Sequence, residues 1–285
     1  MRYLYVIAGS LLLYACEPSK QQQAKSTQAT LVSASLPYDL AHPADAQKLP
    51  DDLREISGLS YYRPGKLACV QDELGVVFIY DLTRRAVIDE HVFGKNGDYE
   101  GVEFVDKTLY ILRSDGELYE MQPTDGVKII GGSPQTRHIK IGLPGQNDME
   151  GLGYDPQLNA LLLATKDGKG TDKTIYYYSL THKTLFQGVV LKQADVQAFD
   201  GSITEFKPSG IAVHPKTREY YVLSSAAHRL LVMAPSGKIK AVVPLDEKAL
   251  RQPEGICFAP DGTLYIASEG DGKKGVLLTY TATGT

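Results

Sequence analysis

Five approximate copies of one short pattern constrain the fold of this chain more than any other feature. Each copy combines a small or acidic residue, a glycine, an apolar alternation, a turn and a second apolar run, as in PEGICFAPDGTLYIASEGDG at 253–272. The glycines fall at positions 58, 101, 151, 210 and 255, which are 43, 50, 59 and 45 residues apart. Repeats of about 40 to 50 residues built from short strands and turns predict the four-stranded blades of a β-propeller.

The fold class is therefore expected to be all-β, with a single propeller over residues 36–285. Five blades are visible as repeats. The 59-residue third interval could hold extra strands, so a six-bladed ring stays an alternative. The fifth copy ends after its third strand. We expect residues 31–40, LVSASLPYDL, to supply the missing outer strand and close the ring, which removes two open sheet edges.

The amino terminus has the order of a bacterial lipoprotein signal. Arg2 precedes an apolar run from Leu4 to Leu13, and Cys16 follows Ala15. The run is too short to span a bilayer comfortably, which favours a cleaved signal over residues 1–16. Lipidation of Cys16 would then anchor the mature chain to a membrane through a polar tether at 17–35. An ordinary secretory signal is the alternative.

The net charge and the remaining cysteines limit which partners and which cysteine chemistry we expect. A net charge of −4 offers no overall attraction to nucleic acid, and we expect none as a partner. Cys69 and Cys257 are the only cysteines after Cys16, and both lie in apolar strand-like runs. We therefore expect both to be buried free thiols. A disulfide between them is the alternative, because the first and last repeats meet in a closed ring.

Aligning the copies brings two polar positions to one mouth of the channel. The first strand of a blade begins where the second ends, so both positions belong to the same face. The position before the glycine is occupied by Ser57, Glu100, Glu150, Ser209 and Glu254. The end of the second strand contributes Asp72, Ser114, Lys166, Ser225 and Glu269.

Converging glutamates require neutralisation, because two like charges at about 4 Å repel by about 4 kcal/mol at an effective dielectric near 20. One hypothesis is a bound calcium ion, since carboxylate oxygens suit Ca²⁺ or Mg²⁺ rather than zinc. Its candidate ligands are Asp72, Glu100, Glu150, Glu254 and Glu269. The alternative is a set of internal ion pairs, with Arg113 beside Glu100 and Lys166 beside Glu150. Glu254 faces Glu269 without an obvious base.

Other residues at this mouth are weaker candidates. Asp115 and Asp167 follow the second strands, and His228 is the best lone candidate for a general base, although the sequence favours a solvated loop histidine over that role. The loops at 166–173 and 269–275 occupy the same place in two repeats and predict hairpin tips. The chain has no GxSxG elbow and no HExxH motif, which excludes common serine-hydrolase and zinc-protease sites.

The repeats resemble the SdiA-regulated, YjiK-like family of exported β-propeller proteins over residues 36–280. LREISGLSY at 53–61, GDYEGVEFV at 97–105, NDMEGLGYDP at 147–156 and PSGIAVHP at 208–215 carry the resemblance. It implies an extracytoplasmic propeller that is sometimes lipid-anchored. We expect a monomeric cell-envelope lipoprotein that binds an unknown protein or small molecule. The alternative is a calcium-dependent lactonase or phosphoesterase, by analogy of fold alone.

Overall fold

Five four-stranded antiparallel sheets surround a central axis in the part of the chain that the structure describes. This computed structural model describes residue 1 and residues 35–123, 136–144, 148–168 and 170–283. The predicted five-bladed β-propeller is confirmed, and the six-bladed alternative is wrong for these residues. Cys16, the signal sequence and all but the last residue of the predicted tether lie outside the described residues.

Each blade is a meander that runs from an inner to an outer strand, except that the outer strand of blade 5 comes from the amino-terminal side. Blade 1 contains β2 (Ile56–Arg63), β3 (Lys66–Gln71), β4 (Val76–Asp81) and β5 (Ala86–Val92). Blade 2 contains β6 (Tyr99–Val105), β7 (Thr108–Arg113), β8 (Leu118–Met121) and β9 (Arg137–Ile139). Blade 3 contains β10 (Asp148–Asp155), β11 (Ala160–Asp167), β12 (Lys173–Ser179) and β13 (Thr184–Leu191). Blade 4 contains β14 (Gly210–Val213), β15 (Tyr220–Ser224), β16 (Arg229–Met233) and β17 (Ile239–Pro244). Blade 5 contains β18 (Gln252–Phe258), β19 (Leu264–Glu269), β20 (Val276–Tyr280) and β1 (Asp45–Lys48).

The core lies between the blades. Second strands read as short apolar runs because neighbouring blades cover both faces, and β15 is buried along its whole length. Along the outer strands, more exposed side chains alternate with more buried ones, as β5 shows. Each pair of neighbouring blades encloses one apolar cluster, including the pair formed by blades 5 and 1. The fold is therefore a closed ring of five interfaces.

The repeated glycine is required because the inner strands approach each other closely around the axis. A Cβ atom on Gly58 would lie 2.7 Å from the Cα of Gly101 in the next blade, and one on Gly210 would lie 2.2 Å from the carbonyl oxygen of Glu254. Gly255 completes the ring, since its Cβ would lie 2.6 Å from Leu59 of blade 1. The feature that predicted the fold is thus a packing requirement of it.

The ring is closed by an amino-terminal strand, but not by residues 31–40. β1 (Asp45–Lys48) pairs antiparallel with β20, with Asp45 opposite Thr279. Within the predicted segment, residues 35–40 contain no strand, and residues 31–34 lie outside the described part. Tyr38 is instead buried between blades 4 and 5, where its hydroxyl donates a 2.7 Å hydrogen bond to Gly262 O. The apolar side chains of 31–40 therefore reflect packing against the blades and not a strand. The strand that closes the ring is polar because it lies at the edge of a blade.

The long third interval holds an insertion rather than a sixth blade. After β13, the chain forms the helix α1 (Gln193–Phe199) and a connection that reaches β14 at Gly210. The Gln193 side chain donates to Ile203 O at 2.8 Å and accepts from Phe206 N at 2.9 Å. The buried Phe206 ring packs between blades 3 and 4. The insertion is therefore part of the core.

Two further expectations concern cysteines and hairpins. Cys69 and Cys257 are both buried and free, and burial raises the pKa of each thiol, which disfavours the reactive thiolate. The predicted hairpin tips are confirmed, because β11 ends at Asp167 before β12 begins, and β19 ends at Glu269 before β20. Among the helices of the described residues, none is long and apolar enough to cross a membrane.

Candidate functional site

In blades 1, 2, 3 and 5, a β-bulge directs one polar side chain toward the channel mouth, whereas in blade 4 Ser209 precedes β14 without a register shift. In blade 2, Tyr99 pairs with Arg113 and Gly101 pairs with Leu112, so Glu100 is the extra residue between them. The pairings of blades 1, 3 and 5 shift in the same way at the residue before the glycine, that is, at Ser57, Glu150 and Glu254. Bulges re-aim side chains in this manner. The predicted mouth position is therefore built by local backbone geometry.

Serines at this position connect neighbouring blades. Ser57 Oγ donates a 2.6 Å hydrogen bond to Tyr99 O of blade 2, and Ser209 Oγ donates a 2.7 Å bond to Pro253 O of blade 5. Ser209 Oγ also accepts from Ser225 N at 3.0 Å. These serines satisfy buried backbone groups, so their role is structural.

The glutamates at the same position form an acidic cluster with raised pKa values, in which Glu150 is buried and Glu100 and Glu254 are partly buried. Burial raises the pKa of Glu100 to about 10 and that of Glu254 to about 8, and the nearby Glu150 carboxyl adds to both shifts. Both side chains are therefore largely protonated at neutral pH. Protonation therefore removes much of the negative charge that the converging glutamates would otherwise carry.

Lys166 supplies the rest, and the predicted pair with Glu150 is confirmed. Lys166 Nζ donates to Glu150 Oε1. Burial raises the pKa of Glu150 to about 7 although this hydrogen bond lowers it, and the positive charge also lowers the pKa of Glu254. Glu254 was expected to lack a base. The base whose charge acts on Glu254 is Lys166 of blade 3, not a residue of its own blade.

The expected pairing of Arg113 with Glu100 is wrong. Arg113 hydrogen-bonds the Asp115 carboxylate at 2.6 and 3.0 Å, the Tyr119 hydroxyl at 2.9 Å, and the carboxylate of Glu117. Acceptors in its own hairpin hold the guanidinium fork, and the pKa of Asp115 is lowered by this hydrogen bond. Arg113 therefore binds acceptors in its own turn rather than the Glu100 carboxyl on the neighbouring strand.

Asp72 and Glu269 form a second acidic group where blades 1 and 5 meet. Burial raises the pKa of both, Glu55 raises both further, and the Asp72 charge also raises that of Glu269. Glu269 also raises the pKa of Glu254, as its predicted proximity requires. Asp72 Oδ1 is buried and has no hydrogen-bond partner within the described residues. The hydrogen-bonding capacity of this oxygen is therefore unused among these residues.

The insertion before β14 brings one lysine, Lys207, to the mouth. Lys207 Nζ lies 2.8 Å from Asp167, so the predicted mouth residue Asp167 forms an ion pair that lowers its pKa. The buried Lys173 lies 2.7 Å from Glu205 in the same insertion. These ion pairs attach the insertion to blade 3 and fix the position of Lys207.

A pocket of about 300 Å³ opens between these groups. We call it the mouth pocket, and it is lined by Glu150, Lys166, Lys207, Ser209, Ser225, Ala226, His228, Arg251, Gln252 and Glu254. His228 lies in it as predicted, with Nε2 2.9 Å from Arg251 O. That nitrogen hydrogen-bonds a carbonyl, so it serves as a donor there rather than as a general base.

Calcium stays a prediction. In the described ranges, no three His, Cys, Asp or Glu side chains are grouped closely enough to hold a metal ion. Asp72, Glu100, Glu150, Glu254 and Glu269 influence one another electrostatically, yet they do not form a ready coordination shell.

Sequence reasoning missed an outer acidic position and a deeper one. The residues two places before the mouth position are Glu55, Asp98, Asp148, Lys207 and Gln252. Asp98 and Asp148 act on the glutamates of blades 2 and 3, and the shared D-x-E-G pattern could have revealed them. Glu103 lies deeper, where burial raises its pKa to about 8 and Ser60 Oγ donates to it at 2.9 Å. Only blade 2 has it, so no repeat signal marks it.

Comparisons with known proteins agree with this architecture. A family model described as SdiA-regulated matches residues 37–271. No curated protein sequence matches the chain. The solved glutaminyl cyclase of Myxococcus xanthus is 14% identical, with a TM-score of 0.56, over 84% of this chain and 95% of that one. Virginiamycin B lyase of Staphylococcus aureus is 16% identical over 82% and 69% of the two chains, with a TM-score of 0.47. At this identity the likeness to the glutaminyl cyclase shows the propeller fold alone.

Proposed function

The chain belongs to the SdiA-regulated family, and we propose that it is a bacterial cell-envelope lipoprotein whose propeller binds a small polar ligand at its mouth. The observation that carries this proposal is the mouth pocket, where a protonated Glu254 lies near the Lys166–Glu150 pair. Concave sites with a few convergent polar groups and perturbed pKa values are the usual place for ligand binding.

The chemistry of the pocket favours a ligand rich in oxygen atoms. A protonated Glu254 can donate one hydrogen bond and accept others. Lys207 and Arg251 place positive charge on the wall, so an anionic group on the ligand would be accommodated there. Hydroxy acids and sugar acids combine these features, and lactones have the oxygen atoms without the charge.

A thermal-shift screen tests the binding proposal. The purified chain is heated with a panel of sugars, sugar acids, hydroxy acids, amino acids and lactones, because a ligand that binds only the folded state raises the melting temperature. We expect Glu254→Met to abolish the shift of any hit and Glu254→Gln, which keeps a neutral donor, to retain it. Lys107→Ala on the opposite face is the control. Hits that bind Glu254→Met and the native chain equally would refute the mouth pocket as the site.

A calcium-dependent hydrolase of lactones or phosphate esters is the second candidate. The unpartnered Asp72 Oδ1 near Glu269 favours it, because such an oxygen suits a cation. Calcium is titrated with and without a chelator while melting temperature and turnover of esters, lactones and phosphodiesters are followed. This candidate requires a calcium-dependent rise in melting temperature, and turnover that Glu269→Gln removes while folding persists. An unchanged melting temperature at millimolar calcium eliminates it.

Membrane anchoring through Cys16 is tested separately. Cell fractionation and mass spectrometry of the mature amino terminus should find an acylated Cys16 in the membrane fraction. Cys16→Ala should release the chain from that fraction, and a membrane-free native chain would contradict the anchor. Light scattering of the purified chain checks the expected monomer.

A further inference from the structure

A second hollow lies beside the mouth pocket and is strongly basic. It has a volume of about 320 Å³ and is bounded by the β19–β20 hairpin, the β17–β18 connection and the end of β1. We call it the lysine hollow. Its charged lining residues are Lys48, Lys248, Arg251, Lys273, Lys274 and Glu269. Five cationic side chains therefore face a single carboxyl.

Internal ion pairs offset only two of these five positive charges. Arg251 lies 3.2 Å from Asp271, and Lys274 lies 3.8 Å from Asp51. Lys48, Lys248 and Lys273 have no ion pair among the residues that the structure describes. Like charges in a concave site repel and concentrate the field, so the hollow attracts anions.

The backbone that carries these side chains is held by hydrogen bonds from three sides. Gly270 N donates to Arg54 O at 3.2 Å, and Leu49 N donates to Gly275 O at 2.8 Å, which joins the hairpin to the segment after β1. Lys248 N donates to Asp246 Oδ1 at 2.8 Å, which fixes the third wall. Only the lysine side chains must be ordered when an anion binds, which lowers the entropic cost of binding.

We propose that the lysine hollow binds a multiply charged phosphate group, either free or as part of a larger molecule. Several ammonium groups from separate segments suit an anion with two or more charges, and lysine binds phosphate as a point charge. Arg251 lines both the hollow and the mouth pocket, so one ligand could extend between them. The hollow shares no glutamate with the mouth pocket, so this inference does not depend on the function proposed there.

Isothermal titration of the purified chain with pyrophosphate at low ionic strength tests the proposal. We expect saturable binding that weakens as salt is added. The double variant Lys48→Ala/Lys273→Ala should weaken it at least tenfold. The matched control is Lys107→Ala/Lys216→Ala, which removes the same charge from the opposite face and should change affinity less than twofold. Equal weakening in both double variants, or no binding at 10 mM pyrophosphate (about the upper limit for a useful site), would overturn the proposal.

Two further arms identify the source of the phosphate and separate this site from the mouth. Sedimentation with phosphatidic acid vesicles, whose phosphate monoester can carry two negative charges, and with neutral phosphatidylcholine vesicles as the blank, asks whether a lipid headgroup occupies the hollow. Vesicle binding that the hollow variant loses and the control variant keeps assigns a lipid source, whereas pyrophosphate binding alone assigns a soluble one. Glu254→Met should leave pyrophosphate affinity unchanged, and a loss as large as that of the hollow variant would refute an independent site.

Discussion

The inner strands of blades 1 and 4 differ from those of blades 2, 3 and 5 at the single residue before the shared glycine. In the first group a serine donates to a backbone carbonyl of the next blade, as Ser57 does to Tyr99 O. In the second group a buried or partly buried glutamate has a raised pKa. The bulge therefore presents a serine that connects blades in blade 1 and an acid in blades 2, 3 and 5, while Ser209 of blade 4 makes its connection without a bulge. The scaffold is constant, and one side chain per blade sets the character of the mouth.

The glycine that both groups share gives the largest expected effect. A Cβ on Gly210 would lie 2.2 Å from the Glu254 carbonyl oxygen, so Gly210→Ala must displace an inner strand. We expect a loss of about 3 kcal/mol or more in the free energy of unfolding, the upper end for overpacking. Urea denaturation followed by circular dichroism measures it.

Gly201→Ala is the matched control, because its Cβ would meet its nearest neighbour at 3.9 Å. It should change stability by no more than about 0.5 kcal/mol, as surface substitutions do. Equal effects for the two alanines would show that close approach at the axis is not what requires glycine.

The glutamate blades predict a pH dependence that the serine blades do not. Burial raises the folded-state pKa of Glu254 from 4.5 to about 8, so the folded chain keeps a proton that the unfolded chain releases. Stability from this group is therefore lost as pH rises from about 4.5 through 8. Glu254→Gln should flatten this fall and exceed the wild type at pH 9 by about 1 to 3 kcal/mol, since one pKa unit is worth about 1.4 kcal/mol.

Glu100→Gln should behave in the same way up to a higher pH, because burial raises the pKa of Glu100 to about 10. The exposed Glu247→Gln is the control and should leave the slope unchanged. Denaturation midpoints between pH 5 and 9 provide the measurement. A wild-type chain that gains stability over this range would contradict the protonated mouth.

The sequence predicted most of the fold, and the reason is visible in the same comparison. Glycines recur because each inner strand must pack against the next, so their spacing reports the blades directly. β1 escaped prediction because a blade-edge strand such as DAQK needs only one buried residue. The more apolar segment 31–40 matches the pattern of a strand better than DAQK does. In the structure, however, its Tyr38 packs between two blades without joining a sheet.

The candidate site could be predicted only in part. The position of the mouth residues and the Lys166–Glu150 pair followed from aligning the repeats, because strand register fixes both. The partners of Arg113 did not, since a side chain with several rotatable bonds can choose between a cross-strand acid and Asp115 in its own turn. Lys207 was missed because it comes from an insertion that no other blade contains.

The serine blades provide the smallest expected effect and the sharpest contrast. Ser209 Oγ donates to Pro253 O and accepts from Ser225 N, so Ser209→Ala leaves a buried donor and a buried acceptor unsatisfied. We expect a loss of about 2 kcal/mol, against about 1 kcal/mol for Ser57→Ala. Because neither serine titrates, both losses should be the same at pH 5 and pH 9, unlike those of the glutamate variants.

The exposed Ser236→Ala serves as control and should stay within about 0.5 kcal/mol of the wild type. Denaturant unfolding at the two pH values measures all three variants. If Ser209→Ala became milder as pH rose, its bond to Pro253 O would be coupled to the protonation of Glu254, the next residue along the chain. The serine and glutamate positions would then act as one network around the ring rather than as separate elements of it.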